Sequence, residues 1–481
     1  MRRRRRTVLV LATVLLLGLA GLGVVVVRPG PVAGWFGDAG DARQAGETSE
    51  PAPVAVLAES DPNAAQPTPD GVRELLDPLV ADATLGSRVH VSVADVLSGQ
   101  ELYGKGADEE TVPASVAKLV TAVTVLAARG PAYRIPTRVV AGENPGEVVI
   151  VGGGDPTLAV DEAAFYPGAA RLTDLAEQVT QALGGTVPTK VIVDATLYSG
   201  PKYEPGWDDD IPTGGYGGAV TALMTDGARR DPVAARKALA ATGNGGADRV
   251  ADPDLTAGRS FARLLGAPVE SVQRGRAPGP AGSGVGAPAP GSELGVVESL
   301  PVIRMVDFMI KDSDNLVAEA LARQVALARE QPASFVGAAT AMDDVLAELG
   351  LPADEASLTD ASGLSRTNRL SASLLTDLIA LAGNGSRPEL AAIFAGLPVA
   401  GWSGTLLTRY ASPVTTGGAG MVRAKTGTLT GVHAIAGLVT TADGRLLSFA
   451  VLTDRAPADT PEQTRQALDR IAAALAGCGC R

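Results

Sequence analysis

The first chemical signal in this sequence is Ser115-Val116-Ala117-Lys118. Residues three apart share a helix face, so a lysine amine there can reach a serine hydroxyl and take its proton. Pro113 suits a helix entrance, and Ser115 near that end sits in the positive field of the helix N-terminus. Ser-x-x-Lys alone is weak, and a second copy occurs at Ser199-Gly200-Pro201-Lys202. Glycine and proline at its centre prevent the turn that would align the two side chains, so it is set aside. Two further pieces follow in order. Ser313-Asp314-Asn315 falls inside a long stretch of helical periodicity, although alone it would also suit a capped turn. Lys425-Thr426-Gly427, continued by Thr428, lies in a strand-like run near the C-terminus. This piece is the least probable by chance, because only seven of the 41 basic residues are lysines. Gly427 is expected to let a substrate backbone approach, with the Thr428 N–H pointing into a site.

A lysine-assisted serine suits a chain that has two histidines, His90 and His433. They leave little room for a histidine-built metal site, and His433 reads as structural. Cys478 and Cys480 supply too few ligands for zinc and read as a solvent-exposed pair able to oxidise. No metal or cofactor is expected. The net charge of −12 argues against nucleic acid as a partner, since neutralising phosphates needs a basic face.

The elements that must position these groups are legible as periodicity. Val72 to Val80 repeats apolar residues at helical spacing, and a helix is expected from Ser115 through Leu126 to a stop at Gly130-Pro131. Strands are expected at Val89–Val93, Glu101–Tyr103, Thr137–Val140, Glu147–Val151 and Lys190–Val193. Helical periodicity returns over Val302–Leu327, Ala333–Leu349 and Leu374–Ala382. Strands follow at Gly417–Thr428, Val432–Thr440 and Leu446–Leu452, then a helix over Pro461–Ala476. Arg274 to Ser292 is Gly/Pro/Ala-rich and reads as a loop. One domain is therefore expected over 70–131 and 296–481, interrupted by an inserted domain over 132–295.

At the N-terminus, a basic segment over residues 1–6 precedes an apolar run over 7–27. About 20 helical residues rise roughly 30 Å, enough to cross a bilayer core. Arginines on the cytoplasmic side would place everything after Arg28 outside the cell. The competing reading is a cleaved signal peptide, which also ends outside the cytoplasm. Residues 28–69, rich in Pro, Ala, Gly and acids, read as a disordered linker.

Together the three chemical pieces are those of penicillin-binding proteins and serine β-lactamases. Further stretches narrow the likeness: Gly152-Gly153-Gly154-Asp155-Pro156-Thr157-Leu158, Tyr198-Ser199-Gly200-Pro201, Asp360-Ala361-Ser362-Gly363-Leu364-Ser365-Arg366 and Leu397-Pro398-Val399-Ala400-Gly401. On these the chain resembles the D-alanyl-D-alanine carboxypeptidase/endopeptidase family, the class C low-molecular-mass penicillin-binding proteins, over about residues 70–476. The resemblance implies an α+β fold: a β-lactamase/transpeptidase-like domain, an antiparallel sheet flanked by helices, interrupted by the smaller inserted domain.

It also implies roles. Ser115 attacks the penultimate D-alanine carbonyl of a peptidoglycan stem peptide and Lys118 takes its proton. Ser313 relays a proton to the leaving amine, and Asn315 holds the peptide amide. Lys425 and Thr426 anchor the terminal carboxylate, and the Ser115 and Thr428 N–H groups form an oxyanion hole. Asp155 is the candidate for the free amine of a stem-peptide diamino acid, while Asp360 and Ser362 shape the rim or hold backbone. β-Lactam antibiotics would act as inhibitors. Two ammonium groups about 4 Å apart at an effective dielectric near 20 repel by about 4 kcal/mol. Lys425 is therefore expected to bring Lys118 from about 10.4 to about 7.5. The alternatives are a serine β-lactamase on the same fold, for which no water-activating glutamate is identified, and a non-catalytic wall-binding scaffold.

Overall fold

In the computed structural model, residues 64–243, 245–279 and 288–480 are described. The basic segment, the apolar run and nearly all of the expected linker lie outside them. Among the described residues no helix is long and apolar enough to cross a membrane.

Two five-stranded sheets organise the chain. The first has the order β10-β11-β12-β1-β2 and is antiparallel throughout. Its strands are β1 (Val89–Asp95), β2 (Glu101–Lys105), β10 (Val422–Leu429), β11 (Val432–Thr440) and β12 (Leu446–Thr453). Sequence-distant β1 and β12 are thus neighbours, and β10 is left as an edge. Alternation along the strands loads both faces. Ala434, Ala436, Leu438, Ala450 and Leu452 point to one core, whereas Ile435, Val439, Leu447, Phe449 and Val451 point to the other.

The second face is covered by α1 (Pro69–Val80) and the C-terminal helix α10 (Pro461–Ala476), each starting with proline in its first turn, where no N–H partner is lost. The first face, rich in alanine, receives a layer of helices. These are α2 (Lys118–Arg129), α6 (Val302–Lys311), α7 (Asn315–Ala328), α8 (Phe335–Glu348) and α9 (Ala372–Gly383). Ser334 and Ser371 cap α8 and α9 by accepting from Gly337 N and Leu374 N. A two-strand ladder, β8 (Ala356–Ser357) with β9 (Arg369–Leu370), lies between them in sequence.

The second sheet, order β6-β5-β4-β3-β7, is mixed. It contains β3 (Pro136–Ala141), β4 (Glu147–Val151), β5 (Lys190–Asp194), β6 (Gln273–Arg274) and β7 (Glu293–Glu298). β4 pairs parallel with β5 through a crossover that contains α3 (Leu172–Ala182), while β3 runs antiparallel to both β4 and β7. Its separate core joins Val139, Ile150 and Val193 to Leu175 and to Phe261 of α5 (Pro253–Leu265), which follows α4 (Pro232–Thr242).

Two expectations are corrected. The helical stretch over Val302–Leu327 is broken after Lys311 into α6 and α7, because Ser313 takes φ +57. The cysteine tail is not an exposed pair: Cys478 is buried in the core between α1 and α10, and it is bonded to Cys480. The carbonyl of Cys480 accepts from Thr68 N at 2.7 Å, so the two ends of the described chain are pinned together.

Candidate active site

Ser115 sits in a 3-10 turn, Ala114–Ala117, and Lys118 is the first residue of α2. Ala114 enters the turn at φ +48, a conformation that L residues seldom hold without tight surroundings. Two glycines supply them. A Cβ on Gly427 would lie 2.9 Å from Pro113 O and 3.0 Å from Ser115 N. One on Gly363, itself at φ +81, would lie 1.9 Å from Ala114 O. The backbone that closes on Gly427 here is that of the nucleophile's own turn. The result is a Lys118 Nζ–Ser115 Oγ distance of 3.0 Å.

The second motif is a corner between α6 and α7. Asp314 is the N-cap of α7, accepting from Leu316 N at 3.1 Å and Val317 N at 3.2 Å. The corner turns its two neighbours toward the two lysines. Asn315 Oδ1 accepts from Lys118 Nζ at 2.5 Å, and Ser313 Oγ from Lys425 Nζ at 2.9 Å.

Both lysines are completely buried. Burial pushes the Lys118 amine down to about 8, against the charges of Asp360, Glu319 and Asp314, which pull it up. The expected cause, repulsion from Lys425, is not the principal one. That repulsion falls on Lys425, which burial and then the Lys118 charge push well below the usual lysine range. The Lys425 amine also bonds to Thr426 O at 2.7 Å, beneath the cavity floor.

Residues 360–365 form a loop in which Asp360 holds backbone, one of the two roles expected for it. Asp360 accepts from Trp207 Nε1, Gly363 N, Ser365 N and Asn368 Nδ2 at 2.6 to 2.8 Å. Ser362 O accepts from Lys118 Nζ at 2.5 Å. Glu319, one turn along α7 from Asn315, holds that peptide by accepting from Ala361 N at 3.1 Å and Ser362 N at 3.0 Å. Burial and then the Asp360 charge raise Glu319 to about 7.

A cavity of about 840 Å³ opens above this floor, lined by Ser115, Ser313, Asn315, Thr426 and Thr428 together with Tyr216, Leu364 and Arg366. β10 presents its open edge to it. Val422 O accepts from Ala400 N, and Ala424 N donates to Pro398 O, both at 2.9 Å on the outer side. A period of two carries the N–H groups of Thr426 and Thr428 to that same side. The Thr426 hydroxyl donates to Thr405 Oγ1 at 2.8 Å. Asp155 is not brought to the cavity. It is buried, with Oδ1 accepting from Thr157 N and Thr157 Oγ1, and burial raises it to about 6. Asp208 and Asp210 are among the acids that do line the wall, and Asp208 accepts from Arg366 Nε at 2.7 Å. They sit in an acidic run, Asp208-Asp209-Asp210, which was the available signal. His433 is buried on β11 opposite Thr428 and does not line the cavity.

A serine paired with a buried lysine, set against the edge strand of an antiparallel sheet, defines a serine acyl-transfer hydrolase of the penicillin-binding class. The crystal structure of penicillin-binding protein 4 (DacB) from Haemophilus influenzae has the same fold: TM-score 0.65 at 20% identity, over 84% of this chain and 97% of that one. A carboxypeptidase of Mycobacterium tuberculosis is 38% identical over 87% of this chain and 86% of its own length. Carboxypeptidase DacB of Mycolicibacterium smegmatis is 37% identical over 96% of each. The D-Ala-D-Ala carboxypeptidase 3 (S13) family matches residues 72–264 and 240–475. The chain belongs to that family and is a serine-type D-Ala-D-Ala carboxypeptidase.

Proposed function

We propose that this enzyme cleaves the D-Ala-D-Ala bond of peptidoglycan stem peptides outside the cytoplasm, through an acyl-enzyme on Ser115 with Lys118 as the base. The observation that carries this is the 3.0 Å contact of Ser115 Oγ with an amine that burial brings to about 8. At pH 7 about a tenth of such an amine is neutral and able to accept a proton. As Oγ attacks the penultimate carbonyl, its proton passes to Lys118. The outward N–H of Thr428 and the N–H of Ser115 receive the developing oxyanion. As the C–N bond breaks, Ser313, bonded to Lys425, relays to the departing D-alanine amine the proton that Lys118 took, so Ser313 keeps its hydroxyl and Lys118 is neutral again for the water step, while Asn315 holds the peptide amide beside Lys118. The substrate carboxylate meets the Thr426 hydroxyl, with Lys425 buried beneath and bonded to Thr426 O. Water then takes the leaving group's place and frees Ser115. A cross-linked peptide presents the same bond chemistry, so endopeptidase action needs no other machinery.

β-Lactams fit as acyl donors whose ester with Ser115 hydrolyses slowly. In place of Asp155, Asp208 and Asp210 are the acids suited to a stem-peptide diamino acid amine, because they line the cavity. The apolar run over 7–27 is proposed as the membrane anchor and 28–69 as its tether. Residues 132–295 are proposed as an insertion in one catalytic domain. Intact-mass measurement after incubation with benzylpenicillin tests the chemistry. One penicilloyl unit on the wild type, mapped to Ser115 and absent from Ser115→Ala, is expected. An adduct retained by Ser115→Ala would overturn the assignment.

A further inference from the structure

Asp314 reaches no lysine, yet it is the most heavily tied residue of its motif. Its Oδ2 accepts from Arg229 Nη2 at 2.8 Å and from the Tyr166 hydroxyl at 2.7 Å. Arg229 Nη1 in turn donates to that hydroxyl at 2.7 Å, closing a triangle. The ion pair is sealed, with side chains 2% and 1% exposed, and the guanidinium lies 3.5 Å over the Phe165 ring. Arg229 and Tyr166 both belong to the segment between β4 and β7, and so does Tyr216, whose carbonyl accepts from Asn315 Nδ2 at 2.9 Å.

We propose that Arg229 is a positioning residue for the reaction: by clamping Asp314 and Tyr166 it holds the Ser313-Asp314-Asn315 corner so that Ser313 meets Lys425 and Asn315 meets Lys118. Unusual backbone on both sides of the pair argues for this. On one side Ser313 is at φ +57. On the other, Asp226, Gly227 and Ala228 lead into Arg229 at φ +52, +59 and +63, three left-handed residues in succession. A Cβ on Gly227 would sit 2.8 Å from both Arg229 Nη1 and Tyr166 Oη. Non-glycine residues hold such conformations only where their surroundings over-determine them. A buried ion pair is often no more stabilising than an apolar replacement, so stability alone is a poor reason to build it at the expense of two strained turns. Geometry is what it supplies. The two residues that flank Asp314 are the ones that touch the lysines.

Charge follows the same arrangement. The groups facing Asp314 are Arg229, Arg249 and Tyr166, with Asp312 and Lys118 also within its field. Asp226 and Asp312 face Arg229 in turn, and burial raises each to about 6. Burial alone would raise the Asp314 carboxyl, but Arg229 and then Arg249 reverse this and hold it well below the usual carboxylate range. Asp314 is therefore ionised wherever Lys118 works. Without Arg229 it keeps its burial and Asp312 while losing its first counter-charge, and its protonation moves toward the working range.

The experiment measures the second-order rate of Ser115 acylation by benzylpenicillin, from pH 5 to 9, for full-length wild type, Arg229→Lys and Arg229→Met, with thermal melting alongside. Lysine keeps the charge but replaces the planar fork, whose two nitrogens meet Tyr166 and Asp314 separately, with a single ammonium. It is expected to fold and to acylate about tenfold more slowly, with the single break of the wild type. Methionine is expected to cost about a hundredfold and to add a second break on the acid side, as Asp314 takes a proton. Wild-type rates and a single break in a folded variant would overturn the proposal, and so would a uniform loss in Arg229→Met without the second break. Should Arg229→Met not fold, the lysine variant decides by its rate. The inference rests on the acyl-enzyme reading: a wild type that is never acylated sinks that reading, whereas an acylated wild type with equally fast variants sinks the clamp alone.

Discussion

Raising the pH from 7 to 9 should accelerate acylation of this enzyme by about tenfold. Only neutral Lys118 can accept the Ser115 proton, and burial brings that amine to about 8. The neutral fraction then climbs from about 0.09 to about 0.9 across the interval. A lysine left at 10.5 would give a rise of about a hundredfold over the same two pH steps, without levelling off. The same displacement affects folding. Between pH 8 and 10.5 the unfolded chain keeps a proton that the folded enzyme has released. A cost to stability of about 3 kcal/mol is therefore present below pH 8 and disappears as the pH rises to 10.5. Rapid-quench mass spectrometry with benzylpenicillin reads the rate, with melting at each pH to confirm that the protein stays folded. A profile flat from pH 6 to 9 would refute Lys118 as the base. A tenfold rise per pH step through pH 9 would refute burial as sufficient to depress it.

Gly363→Ala should lower stability by about 2–4 kcal/mol and slow acylation, because a Cβ at φ +81 would press on Ala114 O and move the Ser115 turn; wild-type melting and acylation together would refute this. Asp210→Asn should raise KM several-fold for stem peptides with a free side-chain amine but not for N-acetylated counterparts, and an equal effect on both would remove the amine role. The full-length chain should sediment with membranes, whereas a chain beginning near residue 67 should remain soluble. Recovery of the full-length protein only from the medium would favour a cleaved signal.

The chemistry was largely legible in the sequence, and the reasons are local. Lysine is so scarce that Lys425-Thr426-Gly427 stands out, and a run such as Val432–Thr440 reads as a nearly continuous apolar stretch because both of its faces are buried. Ser115 and Lys118 were found through helical spacing, although the contact is made across a 3-10 turn running into α2. What escaped depends on partners distant in sequence. The break at Ser313 is invisible to periodicity, since apolar spacing continues across it and only Arg229, more than 80 residues away, shows why the corner is held. Asp155 was a candidate through the resemblance, against the plainer reading that Gly-Asp-Pro is a common turn, and here its Asx turn to Thr157 is buried. Cys478 read as part of an exposed tail, since nothing in Cys-Gly-Cys announces that α1 and α10 close over it.

The open edge of β10 carries a second consequence. An unpaired strand edge invites the edge of another molecule, and natural sheets shorten, cover or charge such edges. Here residues 398–400 cover the first half of β10, and Arg366 Nη1 crosses the far end at Thr430 O, 3.0 Å away. Between them only the stretch around Thr426 and Thr428 stays free, with the Lys425 amine drawn beneath it. The free ladder positions on this edge are therefore few, and a second copy of the chain would find little unpaired backbone there. The residues that flank the proposed site thus also shorten the open edge of this sheet.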